Sequence, residues 1–375
     1  MKYNTNLKNL KESQLSTFQN EISKIDDILL LTYGESDCPI DPMIKTEMIH
    51  HLIIDQGKYQ PHQGLNKLRN AIAIKENNKH QSNYSLDNVL ITNGSTEGLF
   101  LSLNALINKN DEVLIIKPCY PTYEYILTYL GAKITYVNYD KDFEVDLIDF
   151  KKKIHSKIKA IIFNYPNNPS GSMLSYDKVV KIKDLILKYK VPFILDNVYD
   201  EIIYGNYTYL NDFNELQDYC IILNSFSKSK RLSGFRLGYM IGPKDLINLC
   251  SKLHQEINIC LPKFMMEGMI SALYSDPEIS YYKKNIAFII KQLTKMKIEY
   301  IQPKGTFYLC FKVDNIHMTD EEFCYYLANN YKLGLIPCSY FKMDGYVRIC
   351  AANDINKLTI ALKQLKKALR NLKAL

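Results

Sequence analysis

One lysine of the chain has the surroundings that a nucleophilic amine needs. Lys228 follows the apolar run Cys220–Asn224 and ends the segment Ser225-Phe226-Ser227-Lys228. Burial at the end of a strand lowers the pKa of an amine, which can then form a Schiff base with a carbonyl. Two serines precede this lysine and Arg236 follows it, and hydroxyls with a guanidinium can bind a phosphate. For any single lysine, a solvated surface charge is the simpler explanation.

Other polar residues stand at points where apolar runs end. Asp196 ends such a run, and a buried carboxylate there needs a cationic partner such as a protonated ring nitrogen. Ser95 and Thr96 follow a glycine at the start of a helical pattern, where backbone N–H groups can bind an anion. Tyr120 stands between two prolines and could stack on a planar ligand, and Asn168 could offer a fixed amide. Their simpler alternatives are a solvated carboxylate, a helix cap, a core tyrosine and a turn residue.

The order of the apolar runs and helical patterns predicts how these groups are positioned. From about residue 85, short runs rich in Val, Ile and Leu alternate with helical patterns. This alternation predicts right-handed crossovers and a mostly parallel sheet, whose ligands bind beyond the carboxyl ends of the strands. After about Pro243, longer helical patterns and short strands at Gly305–Val313 and Tyr346–Cys350 predict a smaller α+β domain. The strands predicted for the sheet are Asn88–Thr92, Glu112–Lys117, Ala132–Val137, Lys159–Asn164, Val191–Asp196 and Cys220–Asn224.

The composition excludes several classes of protein. With 375 residues, 47% of them hydrophobic and 23% charged, the chain is globular and large enough for two domains. The formal net charge of +7 is spread along the chain and does not indicate nucleic-acid binding. The polar N-terminus predicts no signal peptide, and the longest apolar runs are too short to cross a membrane. Nine scattered cysteines predict reduced thiols in the cytoplasm, and seven histidines without ligand spacing predict no metal.

Together, the amine, carboxylate, phenol, amide, aromatic ring and phosphate-binding groups match the needs of pyridoxal phosphate (PLP). From about Tyr33 to Ala352, the sequence resembles the class I and II aminotransferases, which are PLP enzymes of fold type I. Several pieces match the family pattern in the right order and with the right intervals, which a chance match would not give. The matching pieces are Asn168-Pro169-Ser170-Gly171, in which Ser170 is a mild departure from the family's usual threonine, and Asp196, Tyr199, Ser225-Phe226-Ser227-Lys228, Gly234 and Arg236.

The resemblance implies three catalytic residues and a set of cofactor contacts. Lys228 would form the Schiff base and later move a proton at the substrate Cα, and Asp196 would pair with the ring nitrogen. Tyr199 and Asn168 would bind the ring oxygen, and Tyr120 would stack on the ring. The residues implied at the phosphate are Ser95, Thr96, Ser225, Ser227 and Arg236.

The resemblance also implies the substrate contacts and the assembly. Arg348 would bind the substrate α-carboxylate, with Asn168 and Gly34 beside the substrate. Tyr59 would reach the phosphate of a neighbouring subunit, which implies a homodimer with shared active sites. The implied architecture is a large PLP-binding domain of residues 45–270, with a mostly parallel sheet of the seven-stranded type. Residues 1–44 and 271–375 would form a discontinuous small α+β domain.

Arginine is scarce in this chain. Of the 47 lysines and arginines, five are arginine, at positions 69, 231, 236, 348 and 370. Two of these fall on the family positions described above, and we expect Arg69, Arg231 and Arg370 to lie on the surface. The aspartate-specific branch has a second arginine between the two motif arginines, whereas Leu237–Val347 contains none. We therefore predict that aspartate is not the preferred amino donor. A second departure is Pro337-Cys338-Ser339, where many members have Pro-Gly-Ser, and it leaves the shape of that loop open.

The sequence thus predicts a PLP-dependent aminotransferase that transfers the amino group of an L-amino acid to a 2-oxo acid. Elimination at a C–S bond, decarboxylation or cyclisation of an amino acid by the same fold are alternatives, because they share Lys228, Asp196 and Arg348. A non-catalytic PLP-binding module is a more remote alternative. The identity of the donor and of the acceptor does not follow from the sequence.

Overall fold

The computed structural model describes residues 1–313 and 316–374. Its α-helices, in chain order, are α1 Thr5–Asn9, α2 Gln14–Ile22, α3 Pro42–Ile54, α4 Asn66–His80, α5 Gly94–Leu106, α6 Thr122–Leu130, α7 Leu147–Lys153, α8 Tyr176–Tyr189, α9 Phe226–Ser229, α10 Lys244–Asn258, α11 Lys263–Ala272, α12 Ile279–Lys295, α13 Asp320–Tyr331 and α14 Ile355–Asn371. Its strands are β1 Leu29–Leu30, β2 Val89–Thr92, β3 Glu112–Ile116, β4 Lys133–Val137, β5 Ile158–Phe163, β6 Phe193–Asp196, β7 Cys220–Ser225, β8 Gly238–Ile241, β9 Tyr308–Lys312, β10 Leu333–Gly334, β11 Ile336–Pro337 and β12 Tyr346–Cys350.

A seven-stranded sheet has the order β2-β8-β7-β6-β5-β3-β4, and all its strands except β8 run parallel. This confirms the predicted α/β fold with a mostly parallel sheet, and every strand predicted for it is present. The strand β6 begins at Phe193 because Pro192 has no N–H to donate within a sheet. The four-residue antiparallel strand β8 was not predicted.

Apolar residues on both faces of this sheet explain why its strands read as continuous apolar runs. Along β3, Leu114 and Ile116 belong to the core on one face, whereas Val113 and Ile115 belong to the core on the other. All four side chains are buried. We call this sheet with the helices α3–α11 the large unit.

A three-stranded antiparallel sheet, β11-β12-β9, packs with α2, α12, α13 and α14 around a separate apolar core. We call this sheet with those helices the small unit. The N-terminal segment joins it because β1 pairs with β10. The predicted domain boundaries at residues 44 and 270 fall within α3 and α11, and the division at those residues stays a prediction. Within the described residues, no helix is long and apolar enough to cross a membrane.

Two of the three arginines expected on the surface are buried, so that expectation was wrong for them. Arg69 is 4% exposed, and it donates from Nε to the Val89 carbonyl and from a terminal nitrogen to the Leu86 carbonyl. Arg231 is 8% exposed and also donates to backbone carbonyls. Arg370 is exposed, as expected. Carbonyls of distant loops satisfy the two buried cations, and no local sequence pattern reveals such partners.

Candidate active site

A cavity of about 490 Å³ lies beyond the carboxyl ends of β5, β6 and β7, between the large and small units. Every loop that contains a predicted site residue reaches it, with the exception of the loop of Tyr59. The predicted site residues that line it are Gly34, Ser95, Thr96, Tyr120, Asn168, Asp196, Tyr199, Ser225, Ser227, Lys228, Arg236 and Arg348. Residues from the large and small units therefore meet around one space.

Lys228 lies in the single turn of α9, directly after β7, and its side chain is partly exposed. Its Nζ donates to the carbonyl of Gly34 at 2.9 Å. Its pKa is lowered to about 8, mainly by burial, and the positive charges of Arg348 and Arg236 contribute to this lowering. A Cβ at Gly34 would lie 2.1 Å from the Tyr308 hydroxyl and 2.9 Å from Lys228 Nζ, so this approach needs glycine. The amine is therefore poised to lose its proton near neutral pH.

Asp196 ends β6 with one carboxylate oxygen that lacks a partner. Its Oδ2 accepts a hydrogen bond of 2.5 Å from the Tyr123 hydroxyl. Its Oδ1 is buried and has no hydrogen-bond partner of normal geometry. Burial raises the pKa of Asp196, whereas the hydroxyl of Tyr123 and the backbone N–H of Val198 act in the opposite direction. A buried carboxylate oxygen without a donor is unfavourable, and a cationic N–H group would satisfy it.

Asn164 connects the two loops that follow β5 and β6. Its Nδ2 donates to the Asp196 carbonyl at 2.8 Å, and its Oδ1 accepts from the Asn168 N–H at 2.8 Å. Sequence reasoning assigned no role to Asn164 or to Tyr123. Both act on Asp196 or Asn168 from positions that no spacing rule marks.

The other end of the cavity has the features of an anion site. Ser225 and Ser227 are joined by a hydrogen bond of 2.8 Å between their hydroxyls. Arg236 stands beside the start of α5, where the first N–H groups of a helix have no partner within the helix. Gly94 begins α5 with φ +74°, and a Cβ there would lie 2.7 Å from an Arg236 terminal nitrogen. Only glycine lets this guanidinium approach the helix so closely.

Arg348 comes from β12 and is held in place before any substrate binds. One terminal nitrogen donates to Asn168 Oδ1 and the other to the Thr32 carbonyl, each at 2.8 Å. Its guanidinium carbon lies 4.1 Å from the centre of the Tyr308 ring. The Tyr308 hydroxyl in turn accepts a hydrogen bond of 3.1 Å from Tyr199. Sequence reasoning missed Tyr308, which contacts two predicted site residues.

Two further predictions concern positions at or outside the cavity edge. Tyr59 is 81% exposed and does not line the cavity of its own chain, so its role towards a neighbouring subunit stays a prediction. Cys338 is buried with an ordinary negative φ, so a cysteine fits where many family members have glycine. Its sulfur lies 3.6 Å from that of Cys310.

Comparison with known proteins gives consistent matches over nearly the whole chain. The sequence model of the family described as aminotransferase class I and II matches residues 26–365. An aspartate aminotransferase of Thermotoga maritima is 30% identical over 92% of this chain and 92% of its own. Another of Pyrococcus horikoshii is 28% identical over 96% of this chain and 95% of its own. The crystal structure of aspartate aminotransferase from T. maritima superposes with a TM-score of 0.93, covering 98% of this chain and 100% of that chain at 28% identity.

Proposed function

This chain belongs to the class I and II aminotransferases, and on that basis we propose that it uses pyridoxal phosphate to move an amino group from an L-amino acid to a 2-oxo acid. The observation that carries the choice of cofactor is the buried, unpartnered Oδ1 of Asp196. It lines the same cavity as Lys228, an amine whose pKa is lowered to about 8. A pyridine ring with a protonated nitrogen and an aldehyde would satisfy both groups at once.

The residues around the cavity fit this cofactor at three points. Asp196 would bind the ring nitrogen, and Lys228 would attach to the aldehyde carbon. The phosphate would be bound by Ser95, Thr96, Ser225, Ser227 and Arg236. When bound, the cofactor supplies an electron sink for the negative charge that remains when the substrate Cα loses a proton.

The chain's own residues then orient the substrate and move the proton. Arg348 would bind the α-carboxylate through its planar fork, which fixes the direction of the Cα–H bond. Asn168 and the Thr32 carbonyl keep that fork in position. Lys228 Nζ would take the proton from the substrate Cα and deliver it to the cofactor's former aldehyde carbon, which needs an amine that is partly neutral near pH 8. Asp196 would keep its negative charge beside the ring nitrogen throughout.

A homodimer with shared sites is part of the proposal. One side of α3 packs in the core of the large unit through Ile44 and Met48. The other side exposes a cluster of apolar side chains close to Tyr59 in the sequence, which we call the α3 patch: Ile49, Leu52, Ile53 and Ile54. Exposed apolar patches of this kind are typical of interfaces between subunits. A second chain on this patch would bring Tyr59 towards the neighbouring cavity.

A cytoplasmic location is also proposed, and it rests on the cysteines. All nine are free thiols, and most of them are buried. Cys310 and Cys338 remain free although their sulfurs are 3.6 Å apart. Unlinked cysteines throughout a chain are typical of a reducing compartment.

The donor is proposed to be an amino acid other than aspartate. The cations that line the cavity within the described residues are Lys228, Arg236 and Arg348. Each is taken by the cofactor aldehyde, the phosphate or the α-carboxylate, so none is left for a second carboxylate. The two relatives are named as aspartate aminotransferases, and a donor panel that includes aspartate decides between these indications.

The half-reaction tests the proposed function. The PLP-loaded enzyme is mixed with single L-amino acids and no acceptor, and the absorbance of the bound cofactor is followed. We expect at least one donor to convert the cofactor to its amine form with release of one 2-oxo acid. Release of ammonia and a 2-oxo acid with unchanged cofactor absorbance would instead establish the elimination alternative. The absence of any spectral change or product with every donor would contradict both.

A further inference from the structure

The chain passes between the large and small units twice, and both connections touch residues that directly follow Lys228. In the first connection, the Asp37 N–H donates to the Ala352 carbonyl at 2.9 Å, on the side of the small unit. Two residues later, the Pro39 carbonyl accepts from Arg231 Nε at 2.8 Å, on the side of the large unit. Residues 37–39 are thus the crossing point.

The second connection runs from α11 to α12 and is bound by the same segment. The Asp276 carbonyl accepts from a terminal nitrogen of Arg231 at 3.1 Å. The Ser275 carbonyl accepts from Lys230 Nζ at 2.7 Å. Arg231 therefore binds both connections with one guanidinium. A planar fork can direct its nitrogens at two separate carbonyls, whereas the ammonium of lysine is a single point.

Buried charges around Lys230 make this attachment firm. Lys230 is 2% exposed and forms an ion pair with Glu201 at 2.9 Å. Glu201 also pairs with Lys75, whose Nζ donates to the Leu273 carbonyl at 3.0 Å. Leu273, Ser275 and Asp276 follow one another closely after α11, so three cations bind one short segment. Carbonyls at the end of a helix lack partners within it and favour such cations.

Arg231 also keeps a backbone conformation that arginine seldom adopts. Its φ is +61°, in the left-handed region that glycine occupies most easily. It lies three residues after Lys228, and its N–H donates to the Lys228 carbonyl at 3.3 Å. The two hydrogen bonds to carbonyls keep the buried guanidinium in one place, and they thereby stabilise Arg231 in its unfavourable backbone conformation.

We propose that Arg231 is a positioning residue that sets the small unit, with Arg348, relative to Lys228. This inference rests on the proposed function, in which one substrate is bound by Arg348 and deprotonated by Lys228. The two side chains come from different units, so the angle between the units decides whether the Cα–H bond meets the amine. An error of about 1 Å in such an alignment can lower a rate by about a hundredfold. The predicted phosphate and ring contacts belong to the large unit, so cofactor binding would be little affected.

The test compares Arg231→Lys with Arg69→Lys in the PLP-loaded enzyme. Arg69 is a matched control, because it is also buried and donates to two backbone carbonyls, but both lie within the large unit. Arg231→Gly is the second variant, since it removes the side chain while suiting the positive φ. The readouts are the PLP dissociation constant, KM and kcat for the amino donor, and amide hydrogen exchange of segments 36–41 and 273–278.

We expect both Arg231 variants to lose about tenfold to a hundredfold in kcat/KM for the donor, with the PLP dissociation constant changed less than about twofold. Exchange should speed up in both connecting segments. Arg69→Lys should speed exchange near residues 86–92 and leave kcat/KM unchanged. The proposal is overturned if the Arg231 variants keep wild-type kcat/KM, or if they lose PLP affinity in the same proportion. If the wild-type enzyme converts no donor, the proposed function fails, and unchanged exchange in 36–41 and 273–278 would separately overturn the role of Arg231.

Discussion

Replacement of Tyr123 by phenylalanine tests how Asp196 keeps its charge. The Tyr123 hydroxyl gives Asp196 its one side-chain hydrogen bond, at 2.5 Å, while Oδ1 has none. The change removes only a hydroxyl and keeps the buried ring in place. It should therefore destabilise the ionised form of Asp196 more than its protonated form.

The size of the effect follows from the charge on the acceptor. A hydrogen bond to a charged group contributes about 1.5–3 kcal/mol, against about 0.5–1.5 kcal/mol for a neutral pair. The pKa of Asp196 is raised by burial, so this group makes folding less favourable as the pH rises through that pKa. Tyr123→Phe should thus lower the free energy of unfolding by about 1 kcal/mol at pH values below the raised pKa of Asp196 and by about 1.5–3 kcal/mol at pH values above it.

Denaturant unfolding of the cofactor-free protein over a series of pH values that spans the titration of Asp196 measures this difference. Tyr125→Phe is the control, because the Tyr125 hydroxyl donates to the backbone carbonyl of Glu12 and to no carboxylate. The loss at Tyr125 should be the same throughout this pH series. The same variant of Tyr123 in the PLP-loaded enzyme should react with the donor about tenfold to a hundredfold more slowly. A pH-independent loss at Tyr123 would refute the reasoning, since the hydrogen bond would then not depend on the charge of Asp196.

Four further predictions follow from the site and the surface. Lys228→Ala should bind PLP but give no 2-oxo acid and no amine form of the cofactor with any donor, because the group that moves the Cα proton is gone. In the wild type, the rate at which the cofactor-free enzyme binds PLP should rise through about pH 8 and then level off. Burial lowers the pKa of Lys228 to about 8, and the neutral amine is the form that reacts. Stopped-flow absorbance measures this rate. Arg348→Lys should raise KM for the donor about tenfold or more without weakening PLP binding, because an ammonium cannot replace the two-point contact. Ile53→Glu should give monomers in sedimentation experiments, whereas Ile148→Glu, which changes another exposed isoleucine outside the α3 patch, should not.

Much of the fold and of the site was predictable because the relevant signals are local. A sheet covered on both faces makes each strand a continuous apolar run, so the strands of the large unit stand out in the sequence. The groups that follow them meet at one edge as a consequence of parallel topology. The sequence alone therefore predicted that Lys228, Asp196 and Asn168 lie close together, as they do around the cavity. The strand β8 was missed, and its place between β2 and β7 comes from antiparallel pairing with strands elsewhere in the chain, which its own residues do not show.

The site residues that sequence reasoning missed contact their partners from elements that are distant in the sequence. Tyr123 reaches Asp196 from the first turn of α6, 73 residues away. Tyr308 lies between Tyr199 and Arg348, which come from different units. Such contacts depend on how separate elements pack, and a tyrosine in one of them has the same local pattern as a core tyrosine. Sequence spacing identifies functional residues that lie in the same loop. It does not identify residues that are far apart in the sequence and come into contact only in the folded chain.

The small number of arginines in this chain indicates positions at which a guanidinium is needed, even where its partners are far away in the sequence. Lysine supplies nearly all the positive charge of this chain, so a retained arginine suggests that a planar fork is needed. Four of the five donate to carbonyl or amide oxygens at fixed positions: Arg69, Arg231, Arg236 and Arg348. The expectation that Arg69 and Arg231 lie on the surface was wrong, because it assumed that arginine is needed only where an anionic ligand binds. Two backbone carbonyls at separate places also need a planar group that can donate in two directions. At Arg231, these carbonyls belong to the two connections on which the proposed alignment of Arg348 with Lys228 depends.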